Sequence, residues 1–125
     1  MVVLARQFRP GPVQILDELP GGGVETGETN MEAICRELME ETGYQPSEIV
    51  SLGFPVECAY SDTKREAFLA TGCKKIAVPN PDENEFIEVV TKSIDAFIKQ
   101  LIAGECTDLA IGWMGLYRLG AIKET

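Results

Sequence analysis

Between residues 20 and 44 the chain reads Pro20-Gly21-Gly22-Gly23, then Glu28, then Arg36-Glu37-Leu38, then Glu40-Glu41 and finally Gly43-Tyr44. That order leaves few local structures open. The Pro-Gly run ends an apolar, strand-like segment, Val13 to Leu19. Thr29 followed by Glu32 forms a capping-box signature, which opens a helix. Met31, Ile34, Cys35 and Leu38 supply one apolar stripe, and Gly43 closes the helix in a conformation suited to glycine. The expected unit is therefore strand, glycine loop, amphipathic helix. At about 100° per residue, Glu37 and Glu41 stack on one face, with Glu40 one row over.

Taken singly, these features say little, since glycine turns and acidic helix faces are common. Together they are specific. With background usage of about 5–7% per residue type, nine fixed positions arise by chance on the order of once in 10⁹ start points. The chemistry of the pattern is also coherent. Carboxylates crowded on one helix face repel one another unless a cation neutralises them, and hard oxygen donors suit Mg²⁺ or Mn²⁺. Arg36 stands four residues before Glu40 and is placed to steady it. The glycines allow a backbone carbonyl near Gly21 to reach the same cation.

The rest of the chain sets bounds on that reading. It has no histidine, which excludes Ser-His-Asp and Cys-His catalysis and imidazole-ligated zinc. Twenty acidic residues against eleven basic give a net charge of −9, so a nucleic-acid polymer is not an expected partner. The 125 residues, 45% apolar and 25% charged, match one globular domain, 1–125. Cys35, Cys58, Cys73 and Cys106 contain no C-x-x-C pair and are expected as reduced, mostly buried thiols. No signal peptide and no long apolar run are evident, so a cytoplasmic protein without membrane contact is expected.

Strands are predicted at Val2–Phe8, Val13–Leu19, Val50–Phe54, Ala67–Ala77 and Phe86–Val90. A second helix is predicted from the Ser93 cap to Gly104, with Ile94, Phe97, Ile98, Leu101 and Ile102 recurring at helical spacing. A third runs from about Thr107 to Leu119 and is expected to bury Ala110, Trp113, Met114 and Tyr117. The elements describe an α/β domain with a mixed sheet and three helices.

The stretch from Gly22 to Tyr44 resembles the signature box of the Nudix hydrolases at every position. The resemblance implies an α/β/α sandwich and Mg²⁺-dependent hydrolysis of a nucleoside diphosphate linked to another group, with Mn²⁺ as the alternative metal. It makes Glu37, Glu40 and Glu41 metal ligands together with the Gly21 carbonyl, and Gly22, Glu28 and Gly43 supporting positions. Further segments resemble the ADP-ribose pyrophosphatase and sugar-nucleotide hydrolase branch: Ala5-Arg6-Gln7-Phe8-Arg9-Pro10-Gly11, Glu18-Leu19-Pro20-Gly21-Gly22, Ala67-Phe68-Leu69-Ala70 and Asp82 to Val89. By that likeness Glu83 is the candidate catalytic base and Glu85 an added metal ligand. Arg9, with Arg6 beside it, is the candidate contact to the substrate diphosphate. Glu40 competes with Glu83 for the role of base, but a nearby dication would depress its pKa. Arg36 completes the candidate catalytic set.

Two departures from the branch stand out. The stretch Val56 to Asp62 lacks the branch's proline, and Tyr60 falls near the base-stacking tyrosine of dinucleoside-polyphosphate hydrolases. The branch's N-terminal sheet, which exchanges between subunits, is not expected here, which leaves a homodimer open. The leading expectation is an enzyme acting on ADP-ribose or a related nucleotide sugar. The alternatives are a dinucleoside-polyphosphate or nucleoside-triphosphate pyrophosphohydrolase, and a non-catalytic nucleotide-binding module.

Overall fold

The computed structural model describes residues 1–81 and 86–122. At its centre lies β1 (Val2–Arg9), which turns through residues 10–13 into β2 (Gln14–Glu18). The pair is antiparallel, with Ala5 opposite Glu18 and Arg9 opposite Gln14. On its other edge β1 takes β7 (Glu88–Lys92), also antiparallel, so the order is β2-β1-β7. As the middle strand, β1 is covered on both faces, and Leu4 and Ala5 are fully buried.

The first helix, α1 (Asn30–Thr42), is bounded as its sequence implies. The Thr29 hydroxyl accepts from the Glu32 backbone N–H, and the Glu32 carboxylate accepts from Thr29 N–H, each at 3.1 Å. Gly43, at φ 75°, donates its N–H to the Met39 carbonyl at 2.8 Å. Two constraints meet at that glycine, because a side chain there would also strike the Ala77 carbonyl. The segment beyond residue 75 in turn satisfies the end of the helix: Asn80 N–H donates to Glu40 O at 2.7 Å.

Two small antiparallel sheets follow. One joins β3 (Tyr44–Gln45) to β6 (Lys74–Lys75), and the other joins β4 (Glu48–Gly53) to β5 (Ala67–Thr71). The strand expected over Ala67–Ala77 is thus two strands, broken where Gly72 takes φ 61° against Ser47. Pairings among the described strands are all antiparallel, where a mixed sheet was expected. The reason lies in β7, which returns to the central strand from the opposite direction.

The helices α2 (Ile94–Ile102) and α3 (Leu109–Leu119) build the main core with Leu4, Phe97, Leu101, Cys106 and Leu116. Gly112 allows their close approach, since a Cβ there would lie 3.0 Å from both Leu101 methyls. The buried face of α3 is therefore Gly112 and Leu116, with Leu109 and Trp113 packed beside them. Ala110 and Tyr117, expected inside, are exposed, because the glycine contact sets the rotation of the helix. The thiols depart from expectation as well: all four are free, but only Cys106 is buried and Cys58 is exposed. No helix among the described residues is long and apolar enough to cross a membrane.

Candidate active site

The glycine loop lies directly over the acidic face of α1. Glu41 is 4% exposed, and its Oε2 accepts from the Gly21 N–H at 3.4 Å. The Glu37 carboxylate fills the space beside Gly22, where a Cβ would overlap it. Only a residue without a side chain leaves room for that carboxylate, which explains Gly22 in this position. Glu37 and Glu41 thus stand against the Gly21-Gly22 backbone, one helical turn apart.

Arg36 is the local counter-charge. Its Nη1 reaches Glu37 Oε1 at 3.0 Å and Glu40 Oε2 at 3.2 Å. On its other side Nε and Nη2 donate to the two oxygens of Glu28, and Nη2 also donates to the Gly23 carbonyl at 2.8 Å. These bonds, Glu28 first, raise the guanidinium pKa further above its ordinary value. Glu28 is held below the usual carboxylate range by Arg36 and then by the Glu25 backbone N–H. The i, i+4 pairing of Arg36 with Glu40 was readable from the helix. The pairing with Glu28 was not, because it closes across the loop–helix junction.

Glu37, Glu40 and Glu41 offer hard carboxylate oxygens beside a backbone loop, and in kind this donor set fits Mg²⁺ or Mn²⁺. Among the described residues no three such side chains converge into a ready-made metal cluster, since Arg36 holds Glu37 and Glu40 to itself.

Arg9 sits at the end of β1, with Nε donating to Glu18 Oε2 at 2.6 Å. Its pKa is raised first by that hydrogen bond, and the charges of Glu18, Glu41 and Asp108 add to the effect. Glu18 is 3% exposed, and its second oxygen accepts from the Thr107 hydroxyl at 2.6 Å. Neither Glu18 nor Thr107 was singled out as a site residue from sequence, for they lie 89 positions apart.

Arg6 is not brought to this cluster. Three residues from Arg9, it points from the opposite face of the strand and pairs with Asp17 at 2.7 Å. There it lines an open groove of about 720 Å³ with Glu88, Lys92 and Gln100. Tyr60 is 98% exposed on the loop after β4. Glu83 and Glu85 lie outside the described residues.

The NUDIX domain family matches residues 1–105. An ADP-ribose pyrophosphatase of Bacillus subtilis (strain 168) is 28% identical over 109 residues, 86% of this chain and 59% of that protein. The methanol dehydrogenase activator of Bacillus methanolicus is 28% identical over 102 residues, 80% of this chain and 55% of that protein. A crystal structure titled as an ADP compounds hydrolase superposes with a TM-score of 0.71 at 22% identity, covering 96% of this chain and 68% of the other. The chain spans a little over half the length of these curated relatives. It belongs to the NUDIX domain family.

Proposed function

We propose that the chain hydrolyses the diphosphate bond of a nucleoside diphosphate derivative, with ADP-ribose or a related nucleotide sugar as substrate. The observation that carries this reading is the packing of Glu37 and Glu41 against the Gly21-Gly22 backbone. The ADP-ribose pyrophosphatase of Bacillus subtilis supports the choice of substrate.

Glu37, Glu40, Glu41 and the Gly21 carbonyl would hold the metal, joined by Glu85. When bound, Mg²⁺ or Mn²⁺ supplies the positive charge that polarises the diphosphate and acidifies water. The Arg9 guanidinium grips the diphosphate oxygens through charged hydrogen bonds. Arg36 keeps the acidic face aligned through Glu28 and Glu40. Glu83 takes the proton from the attacking water, and in-line attack at one phosphorus releases AMP and ribose 5-phosphate from ADP-ribose.

A second reading rests on Tyr60, whose exposed ring is available to stack on a base in a dinucleoside polyphosphate. One panel separates the two: ADP-ribose, a sugar nucleotide, a dinucleoside tetraphosphate and a nucleoside triphosphate, each with Mg²⁺ and with products resolved by chromatography. AMP and ribose 5-phosphate from ADP-ribose at the highest kcat/KM is the expected result. No turnover of any member overturns the proposal.

A further inference from the structure

The buried carboxylate of Glu18 lies against Arg9, and the proposed chemistry gives it no task. Burying a charge is unfavourable unless it is paired and hydrogen-bonded, and here both oxygens are used. Oε2 accepts from Arg9 Nε and Oε1 from Thr107 Oγ1, each at 2.6 Å. The bond to Nε has a directional consequence. A guanidinium is planar, so clamping Nε–H sets its plane; one N–H of Nη2 lies parallel to that bond on the clamp side, while Nη1 and the outer N–H of Nη2 face away from it. Among the described residues those Nη groups make no hydrogen bond, and the side chain is 46% exposed.

Thr107 is itself anchored. It precedes Asp108, the residue at the N-terminal end of α3, whose carboxylate makes no capping bond to the helix. Asp108 Oδ1 instead accepts from Arg65 Nη2 at 2.6 Å, which ties the turn before α3 to the segment before β5. The cluster around Arg6 differs, because Arg6 and Lys92 both spend their charge on Asp17.

We propose that Glu18, locked by Thr107, is a positioning residue that aims the Arg9 fork at the substrate diphosphate. The proposal rests on the reading above that Arg9 contacts that diphosphate. A purely structural ion pair would affect folding stability and leave ligand binding alone; a positioning pair moves both binding and KM.

The test uses ADP as the binding probe in titration calorimetry and ADP-ribose with Mg²⁺ for kinetics, on the full chain and on Thr107→Val, Thr107→Ser, Arg9→Lys and the Thr107→Val/Arg9→Lys pair. Thr107→Val is expected to raise the ADP Kd and the ADP-ribose KM about 3- to 10-fold, with kcat within about 2-fold. Thr107→Ser, which keeps the hydroxyl, should restore both constants. In the Arg9→Lys background Thr107→Val should add less than about 2-fold, because the fork it aims is gone. Unchanged constants in Thr107→Val, or its full effect on top of Arg9→Lys, overturn the proposal. So does an Arg9→Lys protein with native ADP affinity and KM, while leaving hydrolysis itself in place. If Thr107→Val does not fold, Glu18→Gln asks the same question with volume preserved, and native constants there overturn the proposal. A native chain that neither binds ADP nor cleaves ADP-ribose instead refutes the functional reading, and the proposal with it, before any variant is compared.

Discussion

Arg36 grips Glu28 at two points, Nε to Oε2 at 2.8 Å and Nη2 to Oε1 at 3.0 Å, and so ties the glycine loop to the helix that carries Glu37, Glu40 and Glu41. From sequence alone, those acids call for a metal as their counter-charge. In the folded chain Arg36 supplies much of it, with Nη1 shared between Glu37 and Glu40. Folding and metal dependence therefore separate.

Excess chelator should abolish hydrolysis while leaving the circular dichroism spectrum and Tm unchanged. Ca²⁺ should bind and support poor turnover, since its loose coordination positions water badly. Full hydrolysis in chelator would refute the metal role. Unfolding in chelator would refute the role given to Arg36.

Glu41→Gln should lower kcat by about 10²-fold or more, with a much smaller change in KM, as for a group acting on transition-state charge. Glu25→Gln should be nearly silent. The Glu25 side chain is 68% exposed and 3.7 Å from Arg36, and its backbone N–H still holds Glu28. Steady-state kinetics on both variants decide the matter, and equal losses would show that the assignment of the helix acids is wrong.

Glu83→Gln should reduce kcat by about 10²–10⁴-fold, the usual contribution of a general base. Metal affinity, measured by calorimetry, should stay near that of the native chain, whereas Glu40→Gln should weaken it. Native turnover in Glu83→Gln would place the base elsewhere.

Acid should destabilise the protein through identifiable carboxylates. Arg6 and then Lys92 hold Asp17 below its ordinary pKa of 3.8, and Arg36 and Ser51 do the same for Glu28 and Glu66 below 4.5. A depressed pKa in the folded state means that the stability is present above the unfolded value and is lost as pH falls through the folded one. Tm should hold from pH 7 to about pH 5 and drop below about pH 4. Asp17→Asn should reduce the size of that drop. A Tm that rises between pH 5 and pH 3 would contradict the ion pairs.

The thiols should react in order of exposure. Cys58 is exposed and should be labelled first, whereas burial pushes the Cys106 and Cys73 thiols up and slows both. Mass spectrometry after labelling in denaturant should count four modified cysteines. A mass lower by two units in the unreduced protein would indicate a disulfide instead.

Features governed by a few consecutive residues were readable in advance. The Thr29–Glu32 box, the Gly43 stop and the Ser93 cap each follow from backbone groups that need partners within one helical turn. The same range covers Arg36 with Glu40, and the turn between β1 and β2. The acidic face of α1 belongs here as well, since 3.6 residues per turn leaves Glu37 and Glu41 no other relation.

Other features depend on which surfaces meet, and periodicity is silent on that. Ala110 and Tyr117 carry the apolar pattern of an inward stripe, yet the close contact of Gly112 with Leu101 rotates α3 and leaves them in water. Arg6 and Arg9 share one short strand and one resemblance, but alternation along β1 sends them to opposite faces, one toward Asp17 and one toward Glu18. The pairing of Glu18 with Thr107 has no local signature at all. It exists because the turn before α3 folds back onto the end of β2, where a buried carboxylate oxygen requires a donor and only a distant part of the chain can supply one.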